Sequence, residues 1–218
     1  RKCRLWRRTR IERVVREDLR DITRLWDLSQ IEVLASLLPE RAGSPLSRVA
    51  LREILEVTYD TVRRWLGLLQ DVYYSFELRP YTGSSSRSLR RETKLYLWDH
   101  GEVSNPAARF ENLIAAHLLK LCDFWSDTGE GRFELRYLRT KDGREIDFLV
   151  LRDGKPFLPV EAKTTDTTPS PHWRWFLPRL GCKVGIQVTQ IPDCWRTYEE
   201  EGRTLVVCDA SSFLAWLA

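Results

Sequence analysis

The 218-residue sequence predicts a mixed α/β (α+β) fold, helical at first and rich in strands later. Two observations carry this. Apolar residues in the first third recur at three- and four-residue steps, the spacing of one helix face. Further on, Asp142-Gly143 and Asp153-Gly154 bracket a run of alternating character, the signature of strands joined by tight hairpins. In fuller form the expectation is N-terminal helices, a winged helix-turn-helix, and a strand-rich domain of order α, β, β, β, α, β, β, α.

Composition narrows the classes. Apolar residues make up 43% of the chain, enough for a sizeable core. No apolar run reaches the length of a membrane span, and no signal-peptide pattern is present, so the expected location is the cytoplasm. Cys3, Cys122, Cys182, Cys194 and Cys208 are scattered without a Cys-x-x-Cys, which argues for free thiols in a reducing compartment. His100, His117 and His172 have no ligand spacing with them. Residues 1–100 carry 20 Lys and Arg against 14 Asp and Glu, and residues 101–218 carry 15 against 17. The basic excess in front suits a phosphate-rich partner, a solvated helix face or a protein contact.

Taken in order, Ile11, Val14, Val15, Leu19, Ile22 and Trp26 mark an amphipathic helix over 10–26. A second follows over Ser29–Leu38, until Pro39, Gly43 and Pro45 break the chain. Ser47 is placed to cap a helix carrying Val49, Leu51, Ile54 and Leu55. Thr58 is placed to cap the next, Tyr59–Asp71, with Val62, Leu66 and Leu69 inward. Strands at Tyr73–Tyr81 and Lys94–Trp98, with a Ser-rich tip between them, complete a winged helix-turn-helix over 46–104, after a helical segment over 1–45. Its outward Arg63 and Arg64, with Arg87, Arg90 and Arg91 of the tip, are the candidate nucleic-acid contacts. Packing on a partner chain is the alternative use of that surface.

The third domain covers 105–218. Asn105-Pro106 starts a helix that holds Glu111 at the edge of its apolar stripe. Strands at 132–139, 144–151 and 156–163 form a meander. A polar loop from Thr164 to Ser170 is long enough to be mobile. A Trp-rich helix (172–180), strands at Lys183–Thr189 and Thr204–Cys208, and a short helix from Ser211 or Ser212 to Trp216 finish the chain.

Chemistry concentrates in the meander. Strand alternation puts Glu161 and Lys163 on one face, and sets Asp147 opposite Ile146, Phe148 and Val150. Two carboxylates and an ammonium then meet on adjacent strands. Burying them is costly unless a divalent cation sits between the acids. Mg²⁺ or Mn²⁺ suits oxygen ligands and leaves room for water and phosphate oxygens. Glu145 shares the side of Asp147 as a spare acid.

A helical Glu, then Asp, then Glu161-Ala162-Lys163 resembles the PD-(D/E)XK nuclease superfamily, whose core order is αβββαβ. From the N-terminal helices through Lys163 the chain also resembles the C-terminal half of prokaryotic AAA-type ATPases, where a domain of unknown function follows the ATPase. The resemblance implies that Asp147 and Glu161 hold Mg²⁺ or Mn²⁺, that Glu111 is a third or second-metal acid, and that Lys163 serves the attacking water. It implies DNA as substrate and an ATPase half lying upstream or on a separate chain. The absence of Met and the initial Arg are read as marks of a fragment, or of a sequence from which Met residues were lost. No Gly-x-x-x-x-Gly-Lys-Ser/Thr is present, so no ATP site is expected in this chain. A catalytically silent module for DNA binding, protein binding or assembly is the alternative function.

Overall fold

The computed structural model describes residues 25–82, 92–140 and 142–217. The helix expected over 10–26 lies almost wholly outside them. The chain is mixed α+β, with six α-helices and eight strands among the described residues. It divides into two compact units, one of residues 1–77 and 94–109, the other of 78–93 and 110–218.

The first unit gathers three helices. Helix α1 (Leu25–Leu37) buries Leu28, Ile31, Leu34 and Ala35. Its described part already includes four residues ahead of Ser29, where the periodicity suggests a start. Helix α2 (Arg48–Leu55) starts where Ser47 Oγ accepts the Ala50 N–H at 3.2 Å. It ends at Glu56, whose φ of 52° turns the chain sharply. Helix α3 (Tyr59–Asp71) starts where Thr58 Oγ1 accepts the Thr61 N–H at 3.2 Å, and buries Val62, Trp65, Leu66 and Leu69. These apolar faces share one core with Leu95, Leu97 and Val103. Strand β1 (Ser75–Pro80) begins in this unit, and β2 (Lys94–Leu97) belongs to it. Glu77 ties β1 to two helices, accepting from Arg48 and from Gln70 Nε2 (3.2 Å).

The second unit is built on the meander. Helix α4 (Pro106–Asp127) is capped by Asn105 Oδ1, which accepts from Ala107 and Ala108 N–H at 2.9 and 3.1 Å. Strands β3 (Phe133–Arg139), β4 (Glu145–Arg152) and β5 (Lys155–Lys163) pair antiparallel. The β4–β5 turn holds Asp153 and Gly154 at φ of 51° and 76°, the left-handed pair a two-residue hairpin needs. The end of β1 pairs parallel with β3. On the other side, β6 (Val184–Thr189) lies parallel to β5, and β8 (Arg203–Asp209) parallel to β6.

Strand β7 (Trp195–Glu200) pairs antiparallel with β8 and has no counterpart in the sequence reading. It is exposed along nearly its whole length, so no apolar alternation marks it. Its one signal is the Glu201-Gly202 turn, with φ of 50° and 71°. The last helix, α6 (Ala210–Trp216), is capped by Asp209 rather than by a serine; Asp209 Oδ1 accepts the Ser212 N–H at 2.9 Å.

Helix α5 (Trp173–Leu180) crosses from β5 to β6 and buries Trp173, Phe176 and Leu177 against Leu149, Leu151 and Leu205. Gly185 makes this approach possible, since a Cβ there would lie 2.6 Å from Trp173 Cζ3. Gly67 in α3 has nothing within 4 Å of that position. Gly185→Ala is expected to cost about 1–3 kcal/mol by overpacking. Gly67→Ala is expected to stabilise by roughly 0.5–1 kcal/mol, because a helix interior with room for the methyl group favours Ala. Urea midpoints of the two variants should move in opposite directions.

Candidate active site

Strand β5 changes partners along its length. Its pairing with β4 runs from the hairpin as far as Phe148 opposite Val160. From Val160 to Lys163 it pairs with Ile186 to Thr189 of β6. Beyond Phe148 the Asp147 side chain takes over from the β4 backbone, and its Oδ2 accepts the Ala162 N–H at 2.9 Å. Asp147 is thereby held against the residue between Glu161 and Lys163.

Glu161 is 2% exposed, a rare situation for a carboxylate. Lys163 Nζ lies 2.8 Å from its Oε1. The other oxygen, Oε2, is buried and has no hydrogen-bond partner. Burial pushes the Glu161 carboxyl above its usual range, and the Asp147 charge adds to this. Contact with Lys163 offsets the rise only in part. Burial acts to lower the Lys163 ammonium. The hydrogen bond and charge of Glu161, with Asp147 and Asp166, outweigh it and hold Lys163 above its usual value.

Gln187 carries the neighbouring loop. It sits beside Glu161 in the β5–β6 register and is fully buried. Its Oε1 accepts from the Ser170 N–H at 2.9 Å and from Trp173 Nε1 at 3.3 Å. Its Nε2 donates to the Thr168 carbonyl at 2.8 Å and the Asp166 carbonyl at 3.3 Å. Both ends of the amide therefore hold the 164–170 loop, so the polar segment whose length suggests mobility is anchored to β6. Gln187 was missed as a site residue. The signal available was one amide inside the apolar run Val184-Gly185-Ile186-Gln187-Val188.

Glu145 makes an ion pair with Arg139 of β3 at 3.4 Å. Glu111 is half-buried on α4. Among the described residues, no three His, Cys, Asp or Glu side chains form a group that could hold a metal. The oxygens that fit a cation are the bare Glu161 Oε2 and those of Asp147.

In the first unit, Arg63 and Arg64 lie on α3 with exposed side chains, each near an acid. Arg63 is 3.6 Å from Asp60, and Arg64 is 3.4 Å from Asp27. That face is mixed in charge rather than uniformly basic. Arg87, Arg90 and Arg91 lie outside the described residues.

Comparison with protein families gives two overlapping matches. Residues 1–123 match a domain of unknown function, DUF8612. The chain belongs to the DUF8612 family. Residues 107–197 match a second domain of unknown function, DUF4143, which is commonly found in AAA-ATPase-associated proteins. This second match spans α4, the meander, α5 and β6, and so includes Glu111, Asp147, Glu161, Lys163 and Gln187. No curated protein and no solved structure matches the chain. Among the described residues, no helix is long and apolar enough to cross a membrane.

The raised Glu161 carboxyl sets a pH dependence. A raised folded-state value means the fold favours the protonated form, so its contribution is fully present at low pH and is lost as pH rises through the folded value. Glu161→Gln removes the ionisation and keeps the shape. The variant is expected to melt a few degrees above the parent at pH 8, because the partnerless position at Oε2 costs less for a neutral amide than for a charged carboxylate. The gap should close as the pH falls toward the ordinary glutamate range. Melting curves of both proteins across pH 4–8 check this.

Proposed function

We propose that the second unit is a PD-(D/E)XK-type nuclease domain that hydrolyses DNA phosphodiesters with Mg²⁺ or Mn²⁺. The observation that carries the reading is the bare, buried Glu161 Oε2 beside Asp147 and Lys163. A buried carboxylate oxygen without a donor is unstable on its own, and a cation would satisfy it. The meander followed by helix α5 and the parallel strand β6 supports the same reading.

In that role Glu161 and Asp147 present oxygens from adjacent strands, and the Ala162 N–H fixes the Asp147 carboxylate in direction. A divalent ion held there supplies Lewis acidity and a hydroxide near neutral pH. Lys163 stays protonated through its contact with Glu161. Its ammonium orients the attacking water and stabilises charge growing on the phosphate. Gln187 holds the neighbouring loop still, so the backbone around the two carboxylates does not have to reorganise during the reaction. Glu111 serves as a third or second-metal acid from α4.

The first unit is, on this proposal, a winged helix-turn-helix that touches DNA through Arg63 and Arg64 and through Arg87, Arg90 and Arg91. The proposal includes an AAA-type ATPase as partner, upstream or on a separate chain, in the cytoplasm; its motive is that DUF4143 is commonly found in AAA-ATPase-associated proteins. The second reading is a catalytically silent binding or assembly module. It is favoured by the closed Lys163–Glu161 pair, which alone can neutralise the buried acid.

A Mn²⁺ titration followed by melting, paired with cleavage of supercoiled, linear and branched DNA, separates the two. The nuclease reading expects a Mn²⁺-dependent rise in melting temperature and metal-dependent cleavage. Asp147→Asn should lose both. Lys163→Ala should keep the metal response and lose cleavage by roughly a hundredfold or more, the cost of removing one electrostatic stabiliser. No metal response and no cleavage in the parent protein would leave the silent module.

A further inference from the structure

We propose that Arg144, Trp175 and Arg179 form a phosphate clamp on the second unit, which grips a nucleic-acid backbone beside the candidate active site. It deepens the nuclease reading and rests on it for the choice of ligand. The site differs from the arginines of the first unit.

The clamp is built on one indole. The Arg179 guanidinium carbon lies 4.2 Å from the centroid of the Trp175 ring, and that of Arg144 lies 5.1 Å from it. Trp175 is itself braced edge-on against the buried Phe176, with centroids 4.7 Å apart. Arg179 follows Trp175 by one helical turn, and its Nη1 donates to the Trp175 carbonyl at 3.0 Å. Arg144 comes from the β3–β4 loop, which is tightly tied. The Thr140 N–H donates to the Arg144 carbonyl at 2.9 Å, and the Arg144 N–H donates to Thr140 Oγ1 at 3.1 Å. Helix and hairpin thus deliver two guanidiniums to the same ring.

A stacked guanidinium turns its face to the ring and leaves its N–H edge free. Each arginine has five such donors. Arg179 spends one on the Trp175 carbonyl, and Arg144 pairs with the exposed Asp142 at 2.8 Å. Two like charges on one indole repel, and one carboxylate cannot neutralise both. An anionic ligand with paired oxygens completes the arrangement, and phosphate matches the fork of Arg best.

Position selects the ligand class. Trp173 of the same helix donates its Nε1–H to Gln187 Oε1 at 3.3 Å, and Gln187 lies beside Glu161 in the β5–β6 register. The helix that carries the clamp is thus tied to the neighbour of Glu161, and Arg144 directly precedes β4, which carries Asp147. A polymer with a regularly charged backbone can occupy both the clamp and the carboxylates. Arg174 points elsewhere on the helix, pairing with Glu200 of β7 at 3.1 Å, and serves as a control.

The test is fluorescence anisotropy with the full chain in EDTA, using labelled duplex DNA, single-stranded DNA and single-stranded RNA over a range of salt. Arg144→Ala with Arg179→Ala should weaken binding about tenfold or more and lower the log–log salt slope by about 1–2, since each duplex phosphate contact contributes ~0.9. The strand showing the largest loss identifies the nucleic acid. Arg144→Lys with Arg179→Lys should restore the slope but not the full affinity, because an ammonium neither stacks nor forks. Arg174→Ala should change neither. Circular dichroism confirms that each variant is folded.

An unchanged affinity and slope in the double alanine variant overturns the clamp, as does an equal loss in Arg174→Ala. Competition by polyglutamate as effective as that by DNA assigns the site to an acidic protein and also overturns it. The measurement contains no metal, so its failure leaves metal-dependent cleavage untouched. Clamp binding without cleavage overturns the nuclease reading alone.

Discussion

The second unit depends on how β5 passes from one neighbour to another. A strand that stops pairing on one side leaves backbone N–H groups without acceptors, which is costly in a buried sheet. Here the Asp147 carboxylate takes the Ala162 N–H where β4 and β5 no longer pair. The same residue that repairs the backbone also brings a negative charge to Glu161. Structural repair and a concentration of charge thus arise from one side chain.

Burial then decides the character of Glu161. Its pairing with Lys163 is close, yet one oxygen has no donor and the carboxyl remains displaced toward protonation. A pair that served stability alone would gain by satisfying both oxygens or by replacement with apolar groups of similar shape. Native proteins keep such imperfections mainly where chemistry or binding uses them. Gln187 shows the opposite arrangement. It is an equally buried polar group, but both ends of its amide are used, and the result is an anchored loop.

Charge in the first unit is distributed differently. Its helices share one apolar core, and its outward arginines on α3 lie beside Asp60 and Asp27. The Arg63–Asp60 pair is exposed and contributes little to stability, whereas Arg64 reaches the buried Asp27. Their effect is to moderate the local field, so that phosphate attraction there competes with acids already in place. In the second unit, by contrast, the Arg144 and Arg179 guanidiniums both lie over the Trp175 ring, and that of Arg179 also donates to the Trp175 carbonyl. Guanidiniums held in advance lose less freedom when they meet an anion.

Much of this was legible in the chain itself, because it depends on local physics. Ser47, Thr58 and Asn105 cap helices through oxygens a few bonds from the N–H groups they satisfy. Asp153-Gly154 makes its hairpin by accepting positive φ, and alternation alone puts Glu161 and Lys163 on one side of β5. Other features needed the tertiary structure. Strand β7 carries no apolar pattern because it is an exposed edge, so only pairing with β8 reveals it. The role of Gln187 follows from the parallel β5–β6 register, which links residues 26 positions apart and leaves no periodic trace. The meeting of Arg144 with Arg179 over Trp175 arises likewise from a hairpin and a helix packed on one core. Local hydrogen bonding and side-chain period belong to the sequence, whereas contacts between distant segments exist only once burial has brought those segments together.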